Sequence, residues 1–83
     1  MNKYYVYIVM CSDHTLYTGY TNDIKKRIKT HNLGRGAKYT RARLPVKLKY
    51  FETFETKSDA LKREHQIKKL TRHQKFKLME VKE

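Results

Sequence analysis

The 83 residues carry twenty Lys and Arg against eight Asp and Glu, a formal charge of +12 with His neutral, and one cysteine. That length makes one domain with a modest core, lone Cys11 excludes an internal disulfide and a zinc cluster, and no stretch nears the roughly 20 apolar residues of a membrane span. The charge asks for a polyanion, nucleic acid before an anionic membrane, and Met1-Asn2-Lys3-Tyr4 opens no secretory signal, so the cytoplasm is the expected compartment.

Tyr4 to Met10 is a dense β-branched and aromatic run and reads as the first strand. Ser12-Asp13-His14 is turn chemistry, and Thr15 to Tyr20 makes a second strand, so the two form a hairpin. With a three-residue loop, Cys11 opposes Thr15, Val9 opposes Tyr17 and Tyr7 opposes Gly19, with His14 in the left-handed position usually held by Gly. A two-residue loop, Asp13-His14, shifts the register by one and separates Tyr7 from Tyr17. Thr21 or Asn22 caps a helix running to about Asn32, closed by Gly34 as the C′ residue. Leu33 to Pro45 is a basic segment without regular structure, long enough to favour a functional reading. Val46 to Phe54 alternates as a third strand. Thr56 or Ser58 caps a helix to Leu70, and Thr71-x-x-Gln74 is a capping box that opens a short last helix through Phe76 and Met79. The order β-β-α-β-α-α predicts an α+β fold over residues 1–83. Its three-stranded antiparallel sheet, flanked by helices, has the most apolar strand in the middle, giving order 2-1-3.

Charge on the wrong side of two helices is the pointer to function. At about 100° per residue, Glu64 falls inside the apolar arc of Ala60, Leu61 and Ile67. Arg27 and His31 share the face that Ile24 and Ile28 should bury. Aiming such groups inward costs several kcal/mol unless they are paired, hydrated or bound, so they are candidates for a polar site. An ion pair between Arg27 and Glu64 is the structural alternative, and Tyr7 and Tyr17 taken alone are more often core or cross-strand aromatics than bases.

Tyr5-Val6-Tyr7, then Tyr17-Thr18-Gly19, then Arg27, His31 and a helical Glu64, resembles the GIY-YIG nuclease superfamily, nearest its small stand-alone bacterial (YhbQ/YazA-type) group. Leu16 to Tyr20, Gly36 to Thr40 and Ser58 to Glu64 support it, so the likeness covers nearly the whole chain. The pattern departs at Tyr5, where the name-giving first Gly would stand, and at Thr18, which replaces Ile. The resemblance implies metal-dependent phosphodiester hydrolysis. It makes Tyr7 and Tyr17 the two motif tyrosines, Arg27 the contact to the scissile phosphate, His31 a site residue one turn on, and Glu64 the ligand of a single Mg²⁺ or Mn²⁺.

The residue types suit that chemistry. An arginine and a cation relieve the charge that grows on a phosphorane-like transition state. Mg²⁺ keeps several waters, so one carboxylate suffices when the phosphate adds a ligand. A tyrosine near both cations is expected to have its pKa lowered from about 10 and to act as general base; either tyrosine fits. Arg35, Lys38, Tyr39, Arg41 and Arg43 in the basic loop are the expected nucleic-acid contacts, with DNA before RNA. The rival readings are a non-catalytic DNA- or RNA-binding module and an accessory protein of a nucleoprotein assembly, in which a partner protein sets specificity.

Overall fold

The computed structural model describes residues 3–80. Strand β1 spans Tyr4–Met10, β2 Leu16–Thr21 and β3 Lys47–Phe54, in one antiparallel sheet of order β2-β1-β3. Helices α1 (Ile24–Asn32), α3 (Lys57–Lys68) and α4 (Arg72–Glu80) are those read from the sequence. A four-residue helix, α2 (Lys38–Arg41), interrupts the basic segment expected to lack regular structure. Its turn is closed by the Thr40 backbone N–H and hydroxyl, both donating to the Ala37 carbonyl.

The centre of the sheet explains the unbroken apolar run of β1: Val6 to Val9 are buried on both faces. Val6 and Ile8 pack against Ala60 and Ile67 of α3 and Leu78 and Met79 of α4. Tyr7, Val9 and Cys11 face the other way and pack against Val46, Tyr17, Ile28 and Leu44. The hairpin takes the three-residue loop. Cys11 N–H donates to the Thr15 carbonyl, His14 sits at φ 67°, and Val9 and Tyr7 pair with Tyr17 and Gly19.

Helix ends follow local chemistry with two shifts. Asp23, not Thr21 or Asn22, caps α1: its carboxylate accepts from the Lys26 backbone N–H at 3.1 Å. The Thr21 hydroxyl is used one step earlier, accepting from Asp23 N–H. Gly34 closes the helix at φ 78°. Thr56 caps α3, and Thr71 and Gln74 form the reciprocal capping box before α4. Helix α3 ends at Lys68, two residues before the expected Leu70. Its inner stripe is Ala60, Glu64 and Ile67, whereas Leu61, expected there, is 41% exposed because it lies about 100° off that line.

A half-buried polar staple holds α3 to β3. Arg63 Nε and Nη2 donate to the two oxygens of Glu52 at 2.9 and 3.0 Å, and the Tyr50 hydroxyl donates to the same carboxylate. Burial pushes the Tyr50 hydroxyl up to about 12, with its bond to Glu52 adding to the rise.

Candidate active site at the edge of the sheet

The hairpin register puts Tyr7 and Tyr17 on one face, below the inner side of α1. Gly19 lets the Tyr7 ring pass: a Cβ there would stand 2.5 Å from its hydroxyl oxygen. The phenol therefore crosses beneath β2, the free edge strand.

At its tip Tyr7 enters a chain of hydrogen bonds whose direction is fixed by elimination. Thr40 Oγ1 gives its only proton to the Ala37 carbonyl at 2.9 Å, so it accepts from Nδ1 of His31, also at 2.9 Å. His31 is then the Nδ1–H tautomer when neutral, and its Nε2 is an acceptor. The Tyr7 hydroxyl lies 2.9 Å from that Nε2 and donates to it. Arg27 Nε donates to the Tyr7 oxygen at 3.3 Å. Residues of β1, α1 and α2 thus form one directed relay from Arg27 through Tyr7 and His31 to Thr40.

Thr40 had no role in the sequence reading beyond its place in the Gly36-to-Thr40 stretch of the resemblance. Gly36 completes the clamp: a Cβ on it would lie 2.9 Å from the His31 Cα and collide with the ring. The ring is held edge-on by Tyr7 and by Tyr17, with centroids 5.9 and 5.6 Å away.

Exposure divides the group. Tyr7 and His31 are fully buried; Arg27, Tyr17 and Glu64 are half-buried. Solvent therefore reaches the second set, while the first is sealed behind the surface. Burial pushes the Tyr7 hydroxyl above its ordinary 10, against the pull of Arg27 and with Tyr17 and Glu64 adding to the rise. For Tyr7, desolvation of the phenolate outweighs the pull of one arginine. Burial, then Arg27, holds the His31 imidazole below its usual 6.5, so it is neutral at pH 7.

Glu64 approaches from the other helix layer. Its ion pair is with Lys68, one turn on, at 3.1 Å, and among the described residues there is none with Arg27. The inter-helix pair offered as the structural alternative is therefore not formed. As a cation site, Glu64 stands alone: the described residues hold no cluster of three or more His, Cys, Asp or Glu. One carboxylate oxygen faces Lys68 and the other has no hydrogen-bond or ion-pair partner among the described residues. That donor set does not suit a cation needing three or four protein ligands. It suits one that keeps its waters and shares a substrate phosphate.

The basic loop splits likewise. Arg35, Lys38 and Arg41 are exposed, and Tyr39 is 39% exposed. Arg43 is committed to structure. Its Nε donates to Asp13 at 3.1 Å, its Nη1 donates to the Tyr39 carbonyl at 2.7 Å, and its guanidinium lies 4.0 Å above the Tyr39 ring.

The family model described as the GIY-YIG catalytic domain matches residues 3–77. A UPF0213 protein of Haloquadratum walsbyi is 60% identical over 96% of this chain and 91% of its own length. One of Clostridium perfringens is 63% identical over 94% and 84%. The solution structure of a UPF0213 protein from Bacillus halodurans has a TM-score of 0.64 at 45% identity, over 96% of this chain and 85% of that one. A protein of E. faecalis gives 0.65 at 41%, over 100% and 92%. With no described helix long and apolar enough to cross a membrane, and with a 2-1-3 antiparallel sheet flanked by helices, the chain belongs to the GIY-YIG family of nuclease-type domains.

Proposed function

We propose that this domain hydrolyses phosphodiester bonds in nucleic acid, DNA before RNA, as an endonuclease dependent on one Mg²⁺ or Mn²⁺. The observation that carries the reading is the directed chain Arg27–Tyr7–His31–Thr40, with half-buried Arg27, Tyr17 and Glu64 near enough to Tyr7 to act on its charge; the space among them is the proposed substrate cleft.

In that cleft the terminal nitrogens of Arg27 take the scissile phosphate while its Nε orients Tyr7. The Tyr7 oxygen accepts a proton from the attacking water as its own proton passes to Nε2 of neutral His31. The phenolate, which burial disfavours, never has to exist on its own. The imidazolium that forms keeps its Nδ1–H on Thr40. Glu64 would hold the cation through one oxygen, and the cation supplies charge relief at the phosphate oxygens. Arg27 hydrogen-bonds the Tyr7 oxygen from the half-exposed side, so a phosphate held by its terminal nitrogens lies next to that oxygen.

Full burial of Tyr7 and His31 is the observation on the side of a non-catalytic binding module. Cleavage assays on flaps, junctions, single strands and duplexes with Mg²⁺ or Mn²⁺ separate the two. Arg27→Ala, Tyr7→Phe and Glu64→Gln should each abolish cleavage and leave most binding, which the diffuse basic surface supplies. Tight binding with no Glu64-dependent cleavage on any substrate would leave the binding module as the function.

A further inference from the structure

Beside the cleft, at the free edge of β2, lies a slot of about 290 Å³ lined by Leu16, Tyr17, Thr18, Tyr39, Lys68 and Lys75. It joins the hairpin to both C-terminal helices. The rings of Tyr17 and Tyr39 stack there with centroids 6.1 Å apart at 19°. Lys75, the fourth residue of α4, is half-buried and has no ion pair or side-chain hydrogen bond among the described residues. Burial lowers its pKa below the usual 10.5, and the Lys68 ammonium adds to the fall. The hydroxyl of Thr18 is buried without a partner among the described residues.

A half-buried lysine beside a second lysine is unfavourable unless an anion joins them. Lys68 already reaches Glu64, so one cation spans the slot and the cleft. The tyrosine rings offer flat apolar surface to the sugar and base that accompany a nucleic-acid phosphate and that a free anion lacks. We infer that this slot binds a backbone phosphate of the nucleic-acid strand, flanking the phosphate at Arg27, with Lys68 and Lys75 as its cations. The flanking position rests on the hydrolytic reading above; the anion site does not.

The test uses the full chain, followed by ¹H–¹⁵N NMR and titrated with inorganic phosphate and, separately, with a thymidine tetranucleotide. Both should shift the backbone signals of Leu16 to Thr18 and Lys75, the tetranucleotide at the lower concentration. Lys75→Gln should weaken tetranucleotide binding about tenfold and lower its salt slope by about 0.7, the value for one single-strand phosphate contact. Lys75→Arg should restore both. The Lys75→Gln thermal midpoint in phosphate-free buffer should equal or exceed that of the unaltered chain, which excludes misfolding as the cause. Shifts confined to the Lys25–Lys26 side of α1, with an unchanged slope in Lys75→Gln, would overturn the inference. Cleavage can fail while the slot binds, which removes the hydrolytic reading alone; cleavage intact with an unresponsive slot removes this one alone.

Discussion

Gly19→Ala probes the relay without altering an ionisable group. Among the described residues only His14 and Gly34 have positive φ, so alanine fits the Gly19 backbone. Its Cβ would lie 2.5 Å from the Tyr7 oxygen and 2.6 Å from Cζ. Ordinary non-bonded contact is about 3.5 Å, so the end of the phenol must retreat by roughly 1 Å. The ring is fully buried against Val9, Cys11 and Val46, which leaves little slack. Overpacking of this kind costs about 1–3 kcal/mol. At roughly 4–8 °C per kcal/mol for a chain this short, the thermal midpoint should fall by about 4–24 °C. The same displacement breaks the 2.9 Å contact with His31 Nε2, and a 1 Å misplacement at a reacting centre costs on the order of 100-fold in rate. Circular dichroism melts and single-turnover cleavage measure the two effects separately. In a Tyr7→Phe background, where the hydroxyl is already gone, Gly19→Ala should remove little further activity. Unchanged cleavage by Gly19→Ala, with the midpoint lowered, would refute any role for the placement of the Tyr7 oxygen.

Three further expectations test neighbouring parts. Thr40→Val leaves His31 Nδ1 without its acceptor. Long-range ¹H–¹⁵N spectra should show mixed tautomers and the rate should drop about 10- to 100-fold, while Thr40→Ser keeps both near normal. Acid should switch the relay off: His31 must be neutral, so the rate falls as pH drops through its pKa, below 6.5. In the same window the unfolded chain binds the extra proton, so stability also falls with pH, and His31→Gln should flatten that dependence. Asp13 and Glu52 act lower, below their ordinary 3.8 and 4.5. Finally, Glu64→Gln should shift the stability measured in melts by no more than about 0.5 kcal/mol, the scale of a partly exposed pair one turn apart. Fully buried Ile67→Ala should cost about 2–5 kcal/mol; equal losses would make Glu64 a structural residue.

What the sequence showed was what local chemistry writes plainly. The apolar run of β1 marked a central strand and Thr71 a helix start, while the hairpin loop and the α3 cap each had two readings, from which the structure takes the three-residue turn that unites Tyr7 with Tyr17 and Thr56 over Ser58. The α1 cap was misplaced because three polar residues in a row offer equivalent oxygens, and only the turn geometry selects Asp23. Helix α2 was invisible because tertiary bonds hold its single turn, and the placement of Thr40 under His31 depends on where the loop folds back. Nor did periodicity separate half-buried Arg27 from sealed His31 on the same face of α1: inward direction is legible in a helical pattern, depth is not.

The segment Gly36 to Arg43 has a consequence for redesign. Its basic residues invite treatment as an exchangeable recognition cassette. Yet it is anchored at one end where Ser12 and Asp13 of the hairpin turn hold Arg43, and in the middle where Thr40 meets His31. Grafting a foreign loop here would retune the imidazole together with the recognition surface, so selectivity and turnover would change in one stroke. The outward lysines of α1, Lys25, Lys26 and Lys29, carry no such coupling among the described residues. They are the ground on which binding preference can be rewritten while the relay stays in tune.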